Sequence, residues 1–306
     1  MANKIFIDGD AGTTGLEIRE RLAGRRDIEI VAIPAEKRKD IEAKCEVLAS
    51  VDVAILCLPD DAAKETVALC DALGDKAPRL LDASTAHRVA PAWVYGFPEL
   101  CAGQAEAIAK AARVANVGCY ATGAIALLRP LVDAGLIAPD QPLTINAVSG
   151  YSGGGRQMIE AYEKGAAPAF ELYALGLEHK HLPEIMAYAR LAARPLFAPS
   201  VGNFRQGMLV SIPLHLDSLP GKPKAADLEA ACRRHYAGAK HVRVMEAPAS
   251  GRIDALALNG SDDMEIFVFS NEARRHAVLV ARLDNLGKGA SGAAVQNLDL
   301  MIGAGA

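Results

Sequence analysis

An apolar run at residues 4–8 (KIFID) ends in Gly9-Asp10-Ala11-Gly12-Thr13-Thr14-Gly15, and residues 16–22 then carry apolar side chains at helical spacing. This opening constrains the chain more than any other stretch. A strand that runs through a glycine turn into a helix returns to a parallel neighbour, because the crossover packs back on the sheet in one hand only. The following residues keep to that pattern, with strand-like runs at 29–33, 52–58 and 79–82 alternating with helical patterns at 41–48 and 62–73. The glycines let backbone amides approach a pyrophosphate at the helix N-terminus, where amides and dipole favour an anion and the Thr13 and Thr14 hydroxyls stand beside them. A tight turn without a ligand shows the same spacing. The strand before it and the helix after it favour the phosphate reading.

The expected fold class is α/β, a Rossmann-type parallel sheet forming a dinucleotide domain. Beyond Cys119 the texture changes, with longer strands expected at 144–148, 207–216, 241–244 and 265–271 and helices at 123–134, 156–164, 182–192 and 224–236. These read as a second, α+β catalytic and dimerisation domain with a mixed sheet. A glycine-rich loop at 287–292 precedes an apolar helix suited to packing back on the first domain. The domains are therefore expected at 1–118 with 285–306, and at 119–284. A length of 306 residues accommodates two such units.

Composition narrows the function. With 51% hydrophobic and 23% charged residues the chain can bury a core, and a net charge of −4 with 5% aromatics supplies no nucleic-acid surface. A small-molecule partner is expected instead. The apolar run at 51–59 is too short to cross a bilayer, and no leader pattern precedes residue 4, so no membrane partner and a cytoplasmic location are expected. Six cysteines without a C-x-x-C pair suggest neither a disulfide framework nor a metal site.

The end of the second strand selects the dinucleotide, since an acid there holds a ribose hydroxyl and cations accept a 2′-phosphate. Here Glu36 is followed by Lys37, Arg38 and Lys39, which points to NADP(H), with Arg38 the designated contact; the same run also suits a solvated helix start. Ser84 and Thr85 follow the 79–82 strand, at the end where open parallel sheets bind ligands.

Cys119 lies in Asn116-Val-Gly-Cys-Tyr-Ala-Thr122, on a turn expected to enter a helix near Thr122. Amides at that N-terminus favour a thiolate and could later donate to an oxyanion, whereas a free cysteine such as Cys57 or Cys70 in an apolar run is ordinarily a small buried hydrophobe. The stretch Glu178-His179-Lys-His181-Leu-Pro-Glu184 offers two histidines just before a helix. Either could serve as acid/base, or the pair could be structural. Arg88, Arg156 and the glycine-rich loop after Ser149 and Gly150 are candidates for gripping anionic substrate groups, with surface ion pairs the other reading of each arginine.

These motifs resemble the N-P-G-C-Y-P-T signature and neighbouring blocks of the N-acetyl-gamma-glutamyl-phosphate reductases, in their shorter-chain form within the semialdehyde dehydrogenase superfamily. FIDGDAGTTGLEIRERL, LLDASTAHR, NAVSGYSGGGR, EHKHLPE and DNLGKGASGAAVQNLDLM carry the likeness; Val117 and Ala121 stand where the signature has prolines. The resemblance implies a Cys119 nucleophile, His179 as its acid/base partner, Tyr173 and His181 beside it, and Asn285, Gly289 and Asn297 on the nicotinamide side. It implies NADPH-dependent reduction of an acyl phosphate through a thioester, with no metal, in a homodimer or homotetramer. Two alternatives stay open, an aspartate-semialdehyde dehydrogenase-like reductase and a nonenzymatic NADPH-binding redox sensor in which Cys119 is the switch.

Overall fold

The computed structural model describes residues 2–38 and 40–304. The chain divides into two compact units, one formed by Met1–Pro98, Gly103–Val117 and Ala290–Ala306, the other by Glu99–Ala102 and Gly118–Gly289.

In the first unit β1 (Asn3–Asp8), β2 (Ile28–Val31), β3 (Val53–Leu56), β4 (Arg79–Asp82), β5 (Val94–Gly96) and β6 (Arg113–Asn116) alternate with α1 (Thr13–Leu22), α2 (Ile41–Leu48), α3 (Asp60–Leu73) and α4 (Gln104–Lys110). The strands pair in parallel in the order β2-β1-β3-β4-β6-β5. β3 is VAIL with every residue buried, as a strand covered on both faces must be. One face packs Ile5, Ile18, Leu22 and Ile55 with the tail residue Leu298, and the other packs Phe6, Leu48, Leu56 and Val67. Asp40 fixes the start of α2 by accepting from the amides of Glu42 and Ala43. Strand order reverses between β1 and β3, the position at which an open parallel sheet leaves a crevice beyond its C-terminal edge.

The second unit holds α5 (Cys119–Asp133), β7 (Thr144–Gly150), α6 (Gly155–Glu163), β8 (Phe170–Leu172), α7 (Leu182–Ala189), β9 (Leu196–Gly202), β10 (Met208–His215), α8 (Ala225–His235), β11 (Val242–Val244), β12 (Met264–Asn271) and β13 (His276–Leu283). Its strands form one mixed sheet in the order β11-β12-β13-β10-β7-β9-β8. β10 alternates buried and less buried residues along its length, so one face of the sheet is covered and the other is not. α5 lies on the covered face with residues 120–131 all buried. Gly123 brings it close, since a Cβ there would meet Val210 Cγ2 at 2.7 Å. The chain ends with α9 (Gly292–Ile302), part of the first unit.

Candidate active site and dinucleotide crevice

The nucleophile candidate sits earlier on its helix than the sequence suggested. α5 begins at Cys119 itself, with Gly118 as an N-cap in extended conformation and no side chain capping the first turn. The helix starts there because the Thr122 amide (2.8 Å) and hydroxyl (2.9 Å) both donate to the Gly118 carbonyl. Gly118 brings no side chain to compete for the first-turn amides, and these amides with the positive end of the helix dipole favour negative charge at Cys119. By contrast, desolvation pushes the Cys57 and Cys232 thiols each up to about 12, which leaves them protonated and inert. Gly289 is required for the close approach of its loop, because a Cβ there would lie 2.9 Å from the Cys119 Cβ.

Around Tyr120, the next residue, the second unit gathers an aromatic and imidazole cluster. The Tyr120 ring lies 5.8 Å from His179, 5.9 Å from His181 and 6.4 Å from Tyr173. Its hydroxyl donates to the Ser200 carbonyl at 2.8 Å. Desolvation above all, with the negative charge of a Cys119 thiolate adding to it, holds the Tyr120 and Tyr173 phenols well above their ordinary range, so both remain protonated. The His181 backbone N–H lies 3.2 Å from His179 Nδ1. A backbone amide can only donate, so Nδ1 accepts and the neutral His179 ring carries its proton on Nε2, 3.4 Å from the Tyr173 hydroxyl.

Glu184, at the start of α7, is a member of the site that the sequence reading left without a role. Buried at 1% exposure, it accepts from the Gly118 amide at 3.2 Å, and its other oxygen stands 3.9 Å from His181 Nε2. One carboxylate thus braces the residue before Cys119 and faces an imidazole. The signal was the spacing: Glu184 follows His181 at i+3 across the first turn of a proline-initiated helix, which puts both on one face.

Other expected residues fall into supporting places. Ser149 is buried with its hydroxyl on the Gly150 carbonyl, and the Gly150 amide is bonded to Gly207. Asn285 belongs to the second unit and spends both ends of its amide there, accepting from the Gly207 N–H and donating to Ser152 Oγ, each at 2.9 Å. It braces the 149–153 loop. Arg156 stands in solvent on the first turn of α6 with its side chain 81% exposed, 3.7 Å from Glu160.

In the first unit Gly9 has φ +94°, and a Cβ on it would come within 2.3 Å of the Cys57 carbonyl oxygen; one on Gly15 would come within 2.4 Å of the Gly9 oxygen. Only glycine lets this turn close. Gly12 caps α1, whose first turn holds Thr13, Thr14 and no acid. A cavity of about 390 Å³ opens beside the turn, bounded by the ends of β1, β2 and β3 and by Asp10, Arg19 and Arg38. Lys37 is exposed, and Lys39 lies outside the described residues. Ser84 and Thr85 are held by two carboxylates: the Ser84 amide and hydroxyl bond Asp82, and the Thr85 amide and hydroxyl bond Asp60. Asp82 also takes His87 Nδ1 at 2.6 Å, with that ring stacked on Trp93. Arg88 is buried with Nε on the Asn116 carbonyl, and Asn297 donates to Gly96 O and Asn116 Oδ1. Oδ1 of Asn297 is a buried acceptor with no protein partner.

Residues 119–285 match the family model for the semialdehyde dehydrogenase dimerisation domain. Over nearly the whole chain the sequence is 55% identical to N-acetyl-gamma-glutamyl-phosphate reductase 2 of Pseudomonas putida, covering 98% of this chain and 97% of that one. It is 56% identical to the N-acetyl-gamma-glutamyl-phosphate reductase of a Chelativorans species, covering 99% of each, and 53% identical to that of Brucella ovis. Among solved structures the fold matches aspartate semialdehyde dehydrogenase II of Vibrio cholerae, with a TM-score of 0.74 at 13% identity over 99% of this chain and 98% of that one. The Candida albicans aspartate semialdehyde dehydrogenase with NADP matches at 0.67 and 14% identity, over 98% and 99% of the two chains. The relatives' full-length identity, the matching dimerisation domain and the cysteine-bearing helix agree, and the chain belongs to the N-acetyl-gamma-glutamyl-phosphate reductase family of oxidoreductases.

Proposed function

We propose that this protein reduces N-acetyl-gamma-glutamyl phosphate to N-acetylglutamate 5-semialdehyde with NADPH, through a thioester on Cys119. The observation that carries this reading is Cys119 as the first residue of α5, within the unit that gathers His179, His181, Tyr173 and Glu184. The thiolate attacks the acyl carbon, a C–S bond forms, and the acyl C–O bond breaks to release phosphate. A reduced dinucleotide, when bound, supplies the hydride for the thioester carbon. Collapse then breaks the C–S bond, giving the aldehyde and the Cys119 thiolate. First-turn amides of α5 are placed to stabilise the oxyanion.

In this proposal His179 is the acid/base partner, and its proton on Nε2 suits the donating half of that task. For the accepting half a second reading has a specific basis. His179 would have to release the His181 amide before its ring could rearrange its protons, whereas His181 is backed by the buried Glu184 carboxylate.

The first unit is assigned NADP(H). Its crevice fits a dinucleotide: the turn admits backbone only, α1 presents amides without a competing acid, and the cavity lies at the reversal of strand order. The Gly9–Gly15 turn would hold the pyrophosphate and Arg38 the 2′-phosphate, with Ser84, Thr85 and Asn297 nearer the nicotinamide. Arg88, Ser149, Gly150 and Arg156 are assigned to the substrate side, and Gly289 and Asn285 to shaping the site. A cytoplasmic location is proposed on six free thiols; no helix of the described residues is long and apolar enough to cross a membrane.

The test runs the reaction backwards. Purified enzyme with N-acetylglutamate semialdehyde should reduce NADP only when phosphate is present, and Cys119→Ser should abolish this while leaving the NADPH Kd within about threefold of the parent. Aspartate semialdehyde oxidised at an equal rate, with the same dependence on phosphate, would reassign the substrate. Activity of the serine variant within a few fold of the parent would remove the covalent step.

A further inference from the structure

The crevice of the first unit contains an unusual set of charges. Arg19, on the second turn of α1, and Arg38, at the end of the short helical turn Ala35–Lys37 beyond β2, both approach the carboxylate of Asp10 in the glycine turn, at 3.0 Å and 3.6 Å. All three border the cavity of about 390 Å³. The residues that end β2 and follow it, Val31, Ala32 and Ile33, are apolar, so the position that commonly supplies an acid for the ribose diol supplies none here. The other carboxylate bordering the cavity, Asp8, is engaged by Lys44 Nζ at 2.5 Å and Thr66 Oγ1 at 3.0 Å. Asp10 is thus the carboxylate set between two guanidinium groups at the cavity wall.

We propose that Arg19 and Arg38 together form the clamp for the 2′-phosphate of NADPH, and that Asp10, which bridges them, limits the discrimination against NADH. The proposal rests on the dinucleotide reading of this unit and adds to it Arg19 and the competing carboxylate.

The physical argument is one of exchange. Both arginines are about half exposed, with side-chain exposures of 52% and 55%, and exposed ion pairs contribute little, so parting them from Asp10 costs little. A phosphate dianion offers two forked guanidinium groups more charge and more acceptors than one carboxylate does. NADPH therefore gains the clamp. Asp10 opposes that gain, because a carboxylate beside the phosphate repels it. With NADH the same carboxylate can accept from a ribose hydroxyl while keeping both arginines, so Asp10 acts in NADH's favour. The preference is the difference between these two arrangements.

Direct binding of NADPH and NADH, followed by the fluorescence of the reduced ring, measures each contribution, with 2′-AMP and 5′-AMP as competing probes. The parent should bind NADPH more tightly by about tenfold or more, and Arg19→Ala should raise the NADPH Kd by about 10- to 50-fold while moving the NADH Kd less than threefold. The 2′-AMP affinity should fall with it, and 5′-AMP should not respond. Arg19→Lys, which keeps the charge and loses the fork, should fall between. Asp10→Asn should lower the NADPH Kd by about three- to tenfold and raise that of NADH. A parent that binds both dinucleotides alike would overturn the NADP reading itself. A parent that prefers NADPH, with Arg19→Ala weakening both dinucleotides equally, would overturn only the clamp and make Arg19 a support for the turn. An unchanged ratio in Asp10→Asn would remove Asp10 from the discrimination.

Discussion

His179 and His181 are two residues apart in sequence and in the same aromatic cluster, yet their hydrogen bonding separates them. Nδ1 of His179 is occupied by the His181 amide, which leaves a proton on Nε2; His181 faces the buried Glu184 carboxylate. Two measurements divide their work. Replacing His179 with Asn should lower kcat by about 10² to 10⁴, the usual cost of a lost proton transfer. Alkylation of Cys119 near neutral pH reports the group that takes its proton. It should slow in His181→Asn and stay within a few fold of the parent in His179→Asn. The reverse pattern would give both halves of the task to His179. The sequence offered both candidates and could not choose, because residues two apart in an extended loop project to the same side. What separates them is a backbone amide and a carboxylate three residues on, and both take position only once α7 forms.

At the scale of elements, α5 carries Cys119 and also the packing of the second unit. A helix buried along residues 120–131 cannot shift without moving Cys119, so its seat on the sheet sets the position of that thiol. Gly123 is the point of nearest approach, with Val210 Cγ2 2.7 Å from where a Cβ would be. Gly123→Ala should therefore cost about 1–3 kcal/mol by urea denaturation, in spite of the better helix propensity of alanine, because overpacking outweighs propensity at a buried contact. A neutral or stabilising result would show that the helix has room to move. The helix itself was legible from its apolar period, but its start was read three residues late. Cys119 and Tyr120 looked like a turn because glycine precedes them, and only the bonds from Thr122 back to Gly118 show that the helix already encloses Cys119. β5, β6, α4, β8 and β9 went unread for a different reason. They are three to seven residues long, too short for a period to stand out, and are defined by their partners in the sheets.

For the whole molecule, the uncovered face of the mixed sheet is the feature with the largest consequence. Phe170 and Leu172 on the edge strand β8 are 56% and 53% exposed, and they border a cavity of about 670 Å³ with Phe269, Val278 and Val280. An apolar sheet face of this kind calls for a partner, and the matching family model describes this part of the chain as a dimerisation domain. We expect light scattering to show a dimer or tetramer, and Leu172→Glu with Val278→Glu to shift it to a monomer; a monomeric parent would remove the proposal. The amino-acid sequence by itself determined the parallel α/β fold and the family and singled out Cys119 as the candidate nucleophile, because glycine turns, alternating apolar runs and a cysteine among Gly, Tyr and Thr are local patterns that survive without coordinates. Only the tertiary structure decided which groups meet. Glu184 reaches Gly118 across 66 residues, Asn285 ties Gly207 and Ser152, and Asp10 in the glycine turn gathers Arg19 and Arg38. Such contacts join residues distant in the chain or on separate elements, and they exist only when sheet order and helix seating bring those elements together.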